Sequence, residues 1–205
     1  IVFLFNGRPN SINYIAENYA KMSDQELERV ATMDGHGLRP EVLKILEQEI
    51  KKRNLNPAFL NGAIAQNKEY TVSEIENYSK ILRALPCPIC GDTLTRLNGT
   101  VSHTVKSFII FTSYGTEPTI ACPSCLDKKN NNAIVSTALL GWWGFPWGLL
   151  KTPLYIYRNI KAKTQNKVDH SNDTLLSYTL GHIGEIEIYK NNKEKLNEII
   201  RPKNN

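Results

Sequence analysis

An α+β fold is predicted by three features of the chain. Up to residue 86 apolar side chains recur at helical spacing, and between Cys90 and Cys122 the composition turns β-branched and aromatic. Beyond Asn130 an uncharged run carries all three tryptophans and is broken by glycine and proline where a helix has to turn back. The expected division is a helical domain over 1–86, a β ribbon over 87–129, an apolar helical hairpin over 130–165 and a C-terminal helical segment over 166–205. With 205 residues, 41% hydrophobic and 22% charged, the chain can bury a core, and wholesale disorder is excluded.

Ile1-Val2-Phe3-Leu4-Phe5, ended by turn residues over 6–10, reads as a short strand or a helix tail. It is too short, and has no basic region before it, to read as a secretory signal. Ile12, Ile15, Ala16 and Tyr19 predict a helix from Ser11 to Met22. Ser23 and Glu26 form a capping box for a second helix to about Met33, which Asp34-Gly35-His36-Gly37 breaks. Pro40 opens a third helix, with Leu43, Leu46 and Ile50 as its buried stripe. Pro57 opens a short one. Ser73 and Glu76 suggest another capping box, ahead of the stripe Ile75, Tyr78, Leu82, Leu85.

Pro86 ends that helix and delivers Cys87-Pro88-Ile89-Cys90-Gly91; the second pair is Cys122-Pro123-Ser124-Cys125. The 31 residues between the pairs suit two or three strands, with Asn98-Gly99 as the hairpin turn and Phe108-Ile109-Ile110-Phe111 within the strand runs. Thiolates two residues apart span adjacent corners of a tetrahedral ion, so Cys87, Cys90, Cys122 and Cys125 are predicted to hold Zn2+, with iron on the same ligands as the alternative. A loop over only two residues makes a poor structural disulfide, which favours a metal in a reducing compartment. Four protein ligands close such a site, so it stabilises rather than catalyses. A thioredoxin-like dithiol is the redox alternative.

Residues 126–168 carry seven basic side chains and one acidic, and the rest of the chain is close to neutral. Positive charge beside an apolar run suggests anionic lipid. The run from Ala133 to Leu150 is at the lower limit for a span, and Gly141, Gly144, Pro146 and Gly148 interrupt it. A hairpin fits better: Asn132 caps a helix over 133–143, 144–148 turn, and Thr152 with Pro153 open a second helix to Lys163. It lies in the interface or re-enters, and places Trp142, Trp143, Phe145 and Trp147, with Lys151 and Arg158, against lipid or a membrane partner. A true span and a hairpin buried in protein are the alternatives. Ser171 to Ile200 reads as one or two helices, with Ile186 and Ile188 also fitting a strand, before a solvated tail.

No serine elbow, phosphate loop or carboxylate pair stands out, and His36, His103, His170 and His182 share no ligand spacing. Ribbons of this kind often bind nucleic acid, yet residues 87–125 of this one have only Arg96 and Lys106 as basic residues.

Cys-Pro-Ile-Cys-Gly resembles the zinc knuckle of zinc-ribbon and rubredoxin-like proteins. Together with Gly141-Trp142-Trp143-Gly144-Phe145-Pro146-Trp147-Gly148, residues 87 to about 165 resemble a group of small bacterial zinc-ribbon proteins with a G-W-W-G-x-P-W-G membrane-associated segment. The resemblance implies a membrane-associated zinc ribbon and brings no reaction with it. The expectation is a non-enzymatic adaptor or accessory subunit at the cytoplasmic face of a membrane. Its partners are lipid or an integral membrane complex; the alternatives are a nucleic-acid-binding ribbon and a thiol–disulfide redox protein.

Overall fold

The computed structural model describes residues 11–108 and 111–202; the readings made for 1–10, for Ile109 and Ile110, and for 203–205 lie outside them. It is a mixed α+β chain. In order come α1 (Ser11–Lys21), α2 (Asp24–Arg29) running into a π-helical turn (Val30–Asp34), α3 (Pro40–Lys52), α4 (Ala58–Gln66) and α5 (Val72–Arg83). Then follow β1 (Asn98–Phe108), β2 (Phe111–Ala121), α6 (Pro123–Leu140), α7 (Trp147–Gln165), α8 (Asp173–Gly181), α9 (Ile183–Tyr189) and α10 (Lys193–Ile200). They form two compact units. One draws on the chain up to Tyr70 and on Gly181–Asn191, the other on Thr71–Leu180 and on the chain from Asn192. The boundary thus falls ahead of α5 rather than at residue 86, and α9 joins the first unit instead of a separate C-terminal segment.

In the first unit Leu27, Ala31, Leu46 and Ala63 are fully buried at the centre of the core. The Ser23 capping box is present: the Ser23 hydroxyl accepts from the Glu26 amide at 3.3 Å, and Glu26 accepts from the Ser23 amide at 2.6 Å. Arg53 donates to the carbonyls of Tyr19, Ala20 and Met22, at the end of α1 where helical partners run out. The break after the π-helical turn is held by Gln66, whose side chain accepts from the Gly35 amide and donates to the Ala31 carbonyl. Gly62 lets α4 and α9 meet: a Cβ there would run into the Ile188 side chain and lie 2.8 Å from the Ala31 carbonyl oxygen. Gly62→Ala is therefore expected to lower the stability of this unit by about 1–3 kcal/mol in denaturant titrations; no loss would show that the backbones separate freely. Ile186 and Ile188 belong to this helical packing and not to a strand.

The second unit is built around one long β-hairpin. β1 and β2 pair antiparallel from Asn98 opposite Ala121 to Phe108 opposite Phe111, so the chain reverses after Phe108. Asn98-Gly99 is thus no turn but the start of β1, and it serves close approach instead. A Cβ on Gly99 would lie 2.8 Å from the Leu175 amide nitrogen. A two-stranded hairpin is marginal alone and leaves an edge of unpaired backbone groups. Here side chains cover the edge of β1. Arg83 donates to the Leu97 carbonyl, and Asn172 both accepts from the Gly99 amide and donates to its carbonyl. Asn159 treats His103 in the same way, at 2.9 and 2.6 Å, and the Thr137 hydroxyl accepts from the Val105 amide.

Helices α6 and α7 pack on β1 and antiparallel on each other, as Asn130 meets Asn166 at one end and Gly141 meets Thr152 at the other. Neither helix begins where expected. Cys122 is the N-cap of α6 and Pro123 its first residue, so α6 runs unbroken through 129/130, and Asn132 caps nothing. The buried contacts of Asn130 hold an asparagine-rich stretch helical against its weak propensity. Helix α7 starts at Trp147 and carries Pro153 in its body. The capping box of α5 is Thr71 with Glu74, two residues before the pair expected.

Candidate metal centre and the apolar end

The four cysteines converge at the foot of the hairpin, with all four sulfurs within 4.8 Å of one another. A tetrahedral ion with bonds of about 2.3 Å needs sulfurs about 3.8 Å apart, and Cys90 and Cys122 lie 3.7 Å apart. The donor set therefore fits a metal ion. Cys87 and Cys90 come from the turn that follows α5, Cys122 follows β2 as the N-cap of α6, and Cys125 lies in the first turn of α6. The first pair forms a tight knuckle: the Gly91 amide donates to the Cys87 carbonyl, and the Cys87 amide to the Asp92 carbonyl, each at 2.8 Å. Gly91 sits at φ +77° with open space around it, so its role is backbone conformation and not room. The second pair is a helix N-terminus, which is why no glycine follows Cys125.

Cys87 and Cys122 are buried, Cys125 is half-buried and Cys90 exposed. Burial pushes the Cys87 thiol up, but the amides of Cys122, Cys90 and Ile89 and the Cys90 thiol outweigh it and bring it down to about 7. Burial raises Cys122, and it raises Cys125 further together with the neighbouring sulfurs. Thiols this close oppose each other's ionisation, and a bound cation reverses that conflict by holding all of them as thiolates. No histidine or carboxylate joins the cluster among the described residues.

No family model, curated protein or solved structure matches this chain. Its chemistry has to be read from the two ends of the second unit alone.

At the far end of α6 from the thiols, Trp142, Trp143, Phe145 and Trp147 are gathered in and beside the turn to α7, and are 44%, 70%, 83% and 58% exposed. Lys151 is half-buried and Arg158 exposed, its guanidinium 5.5 Å from the centre of the Tyr155 ring. The Trp142 and Trp143 indoles donate to the Ala138 and Leu139 carbonyls, at 2.8 and 3.1 Å. These carbonyls belong to the last turn of α6, which has no further helical donors. The rings thereby turn their polar atoms inward and leave apolar surface outside.

The two helices are inverted relative to an ordinary amphipathic pair. Beyond the fully buried Leu126, their buried face is small and polar: Asn130, Ala133, Thr137, Gly141 on α6 and its turn, then Gly144, Gly148, Thr152, Asn159 and Asn166. Their exposed face carries Val135, Leu139, Leu149, Leu150, Leu154 and Ile160. This inner face was missed in the sequence, although small residues four apart, at 133, 137, 141 and at 144, 148, 152, announce it. Also missed were Phe111 and Tyr114 of β2, 65% and 44% exposed. Among the described residues no helix is long and apolar enough to cross a membrane.

Proposed function

We propose that this protein is a non-enzymatic zinc-ribbon protein that attaches to a membrane through the α6–α7 turn and acts there as an adaptor or accessory subunit. The observation that carries the reading is the inverted helix pair, with small and polar residues packed inside and leucines, indoles and Phe145 facing out. Water disfavours that arrangement and lipid favours it, at about 25 cal/mol for each Å² of apolar surface withdrawn. Helices not long and apolar enough to span fit a monotopic or re-entrant attachment. Zinc is the ion assigned to the four cysteines, since thiolates alone in a tetrahedral set favour it over harder metals. A closed four-thiolate site leaves no position for a substrate, and a reducing compartment such as the cytoplasm keeps the thiols available. The resemblance to membrane-associated bacterial ribbons points the same way.

Liposome flotation tests the attachment. The wild-type chain is expected to float with vesicles, and a Trp142→Ser/Trp143→Ser/Trp147→Ser variant to remain mostly at the bottom. Equal flotation of the two would end the claim. A thiol–disulfide role has one point in its favour, because Cys122 and Cys125 do lie at a helix N-terminus. All four sulfurs lie within 4.8 Å of one another, however, which suits one tetrahedral ion rather than an isolated reactive pair. Nucleic-acid binding has less support still, since the basic side chains of 126–168 flank exposed leucines and indoles rather than forming a continuous polar surface.

A further inference from the structure

We infer that the inserted element has three legs, the Phe111 end of β2 entering the bilayer beside the α6–α7 turn, and that it reaches one leaflet deep with a basic collar on anionic headgroups. This rests on the membrane attachment proposed above and deepens it. The Ser107 and Thr112 ends of the two strands pack on the α6–α7 turn. The Ser107 hydroxyl donates to the Gly141 carbonyl at 2.9 Å and lies 3.2 Å from the Thr112 hydroxyl, and a Cβ on Gly144 would run into the side chains of both Ser107 and Thr112. Phe111 is therefore held at the same end as the indoles, and it is as exposed as they are. Apolar surface lying outward on two helices and a strand suits a surrounding solvent more than a partner meeting one side.

The charges set the depth. From Trp147 to Arg158 is eleven helical residues, and from Leu140 back to Lys129 is another eleven, each about 16 Å along the axis. A single leaflet contributes about 15 Å of hydrocarbon. On β2 the first charge after Phe111 is Glu117, about 20 Å along the strand. Nearer the tip stand only Lys106 and Lys151, whose stems are long enough to carry the ammonium outward. Arg158, Lys161 and Lys128 are exposed at collar height, and residues 128–168 contain no acidic side chain. That sign matches lipid phosphate.

Single-indole variants of the full chain provide the test. In a Trp142→Phe/Trp143→Phe/Trp147→Phe background, one tryptophan is restored at 143, or placed at Phe111 or at exposed Thr164, and metal content confirms the fold. The vesicles contain brominated phosphatidylcholine with an equal part of phosphatidylglycerol. The indoles at 143 and 111 are expected to lose more than half of their emission to acyl-chain bromine, and that at 164 almost none. Quenching at 143 without quenching at 111 overturns the three-legged tip while leaving the attachment in place. Quenching at 164 overturns the one-leaflet depth. Vesicles of phosphatidylcholine alone are expected to bind at least about tenfold more weakly, and equal binding overturns the anionic collar. If none of the vesicles quenches 143, the attachment itself fails with the rest.

Discussion

Cys87→Ser is expected to abolish stoichiometric metal binding and to destabilise the second unit by at least about 4 kcal/mol. The sulfur it removes is the most deeply integrated of the four. It is 2% exposed, and the Cys122 amide donates to it at 3.4 Å. Three elements meet at the cluster: the end of α5, the end of β2 and the start of α6. Structural zinc contributes about 10–16 kcal/mol in small metal-folded domains, so losing one thiolate forfeits a large part of whatever the ion supplies here. A serine hydroxyl is a far poorer ligand at this pH. Metal analysis should fall from one ion per chain to a small fraction, and the thermal midpoint by about 10 °C or more. Chelation of the wild-type chain should reproduce the shift. Unchanged unfolding with one ion still bound would remove the metal from its structural role. Cys90→Ser, at an exposed position, is expected to cost less.

The cysteine cluster was legible because ligand chemistry constrains spacing directly: two pairs with two residues between their cysteines already specify a tetrahedron. The helices of the first unit were legible for a similar reason, since their stripes and the Ser23 box are local. Misreadings arose where a distant residue decided the local structure. Asn98-Gly99 has the chemistry of a turn, yet Asn98 is taken up by the Val168 and His170 carbonyls and by the Asn172 amide, more than seventy positions away in two of the three bonds. Asparagines 130 to 132 look like a helix boundary, yet Asn130 is buried between Thr100 and Asn166 and the helix passes through it. The tryptophans were read as facing out from their basic flanks and broken run, with a hairpin buried in protein left as an alternative. A run of apolar residues has the same composition whether it faces a core or faces out. Only the packed face separates the two, and that face announces itself through small residues at fourfold spacing.

Asn172 is where such distant bonding should have its largest effect outside the metal centre. Its side chain is 3% exposed and every polar capacity is used. The oxygen accepts from the Leu175 amide at 3.0 Å and the Gly99 amide at 3.3 Å; the amide nitrogen donates to the Gly99 carbonyl at 2.6 Å and the Gln165 carbonyl at 3.0 Å. One residue thus caps α8, closes the chain leaving α7 and completes the edge of β1. Asn172→Ala strands several backbone groups, each at about 1–3 kcal/mol when buried, and a loss of about 4 kcal/mol in denaturant unfolding is expected. Asn172→Asp separates the roles. If capping were all that mattered, aspartate would serve as well, because it is as good an N-cap as asparagine. In this pocket its second oxygen would face the Gly99 and Gln165 carbonyls with no hydrogen to offer either, and a buried charge would be added to the mismatch. Asn172→Asp is therefore expected to be no more stable than Asn172→Ala. Near wild-type stability for the aspartate variant would show that the edge of β1 needs no side-chain partner, and that the helices alone hold the hairpin in place.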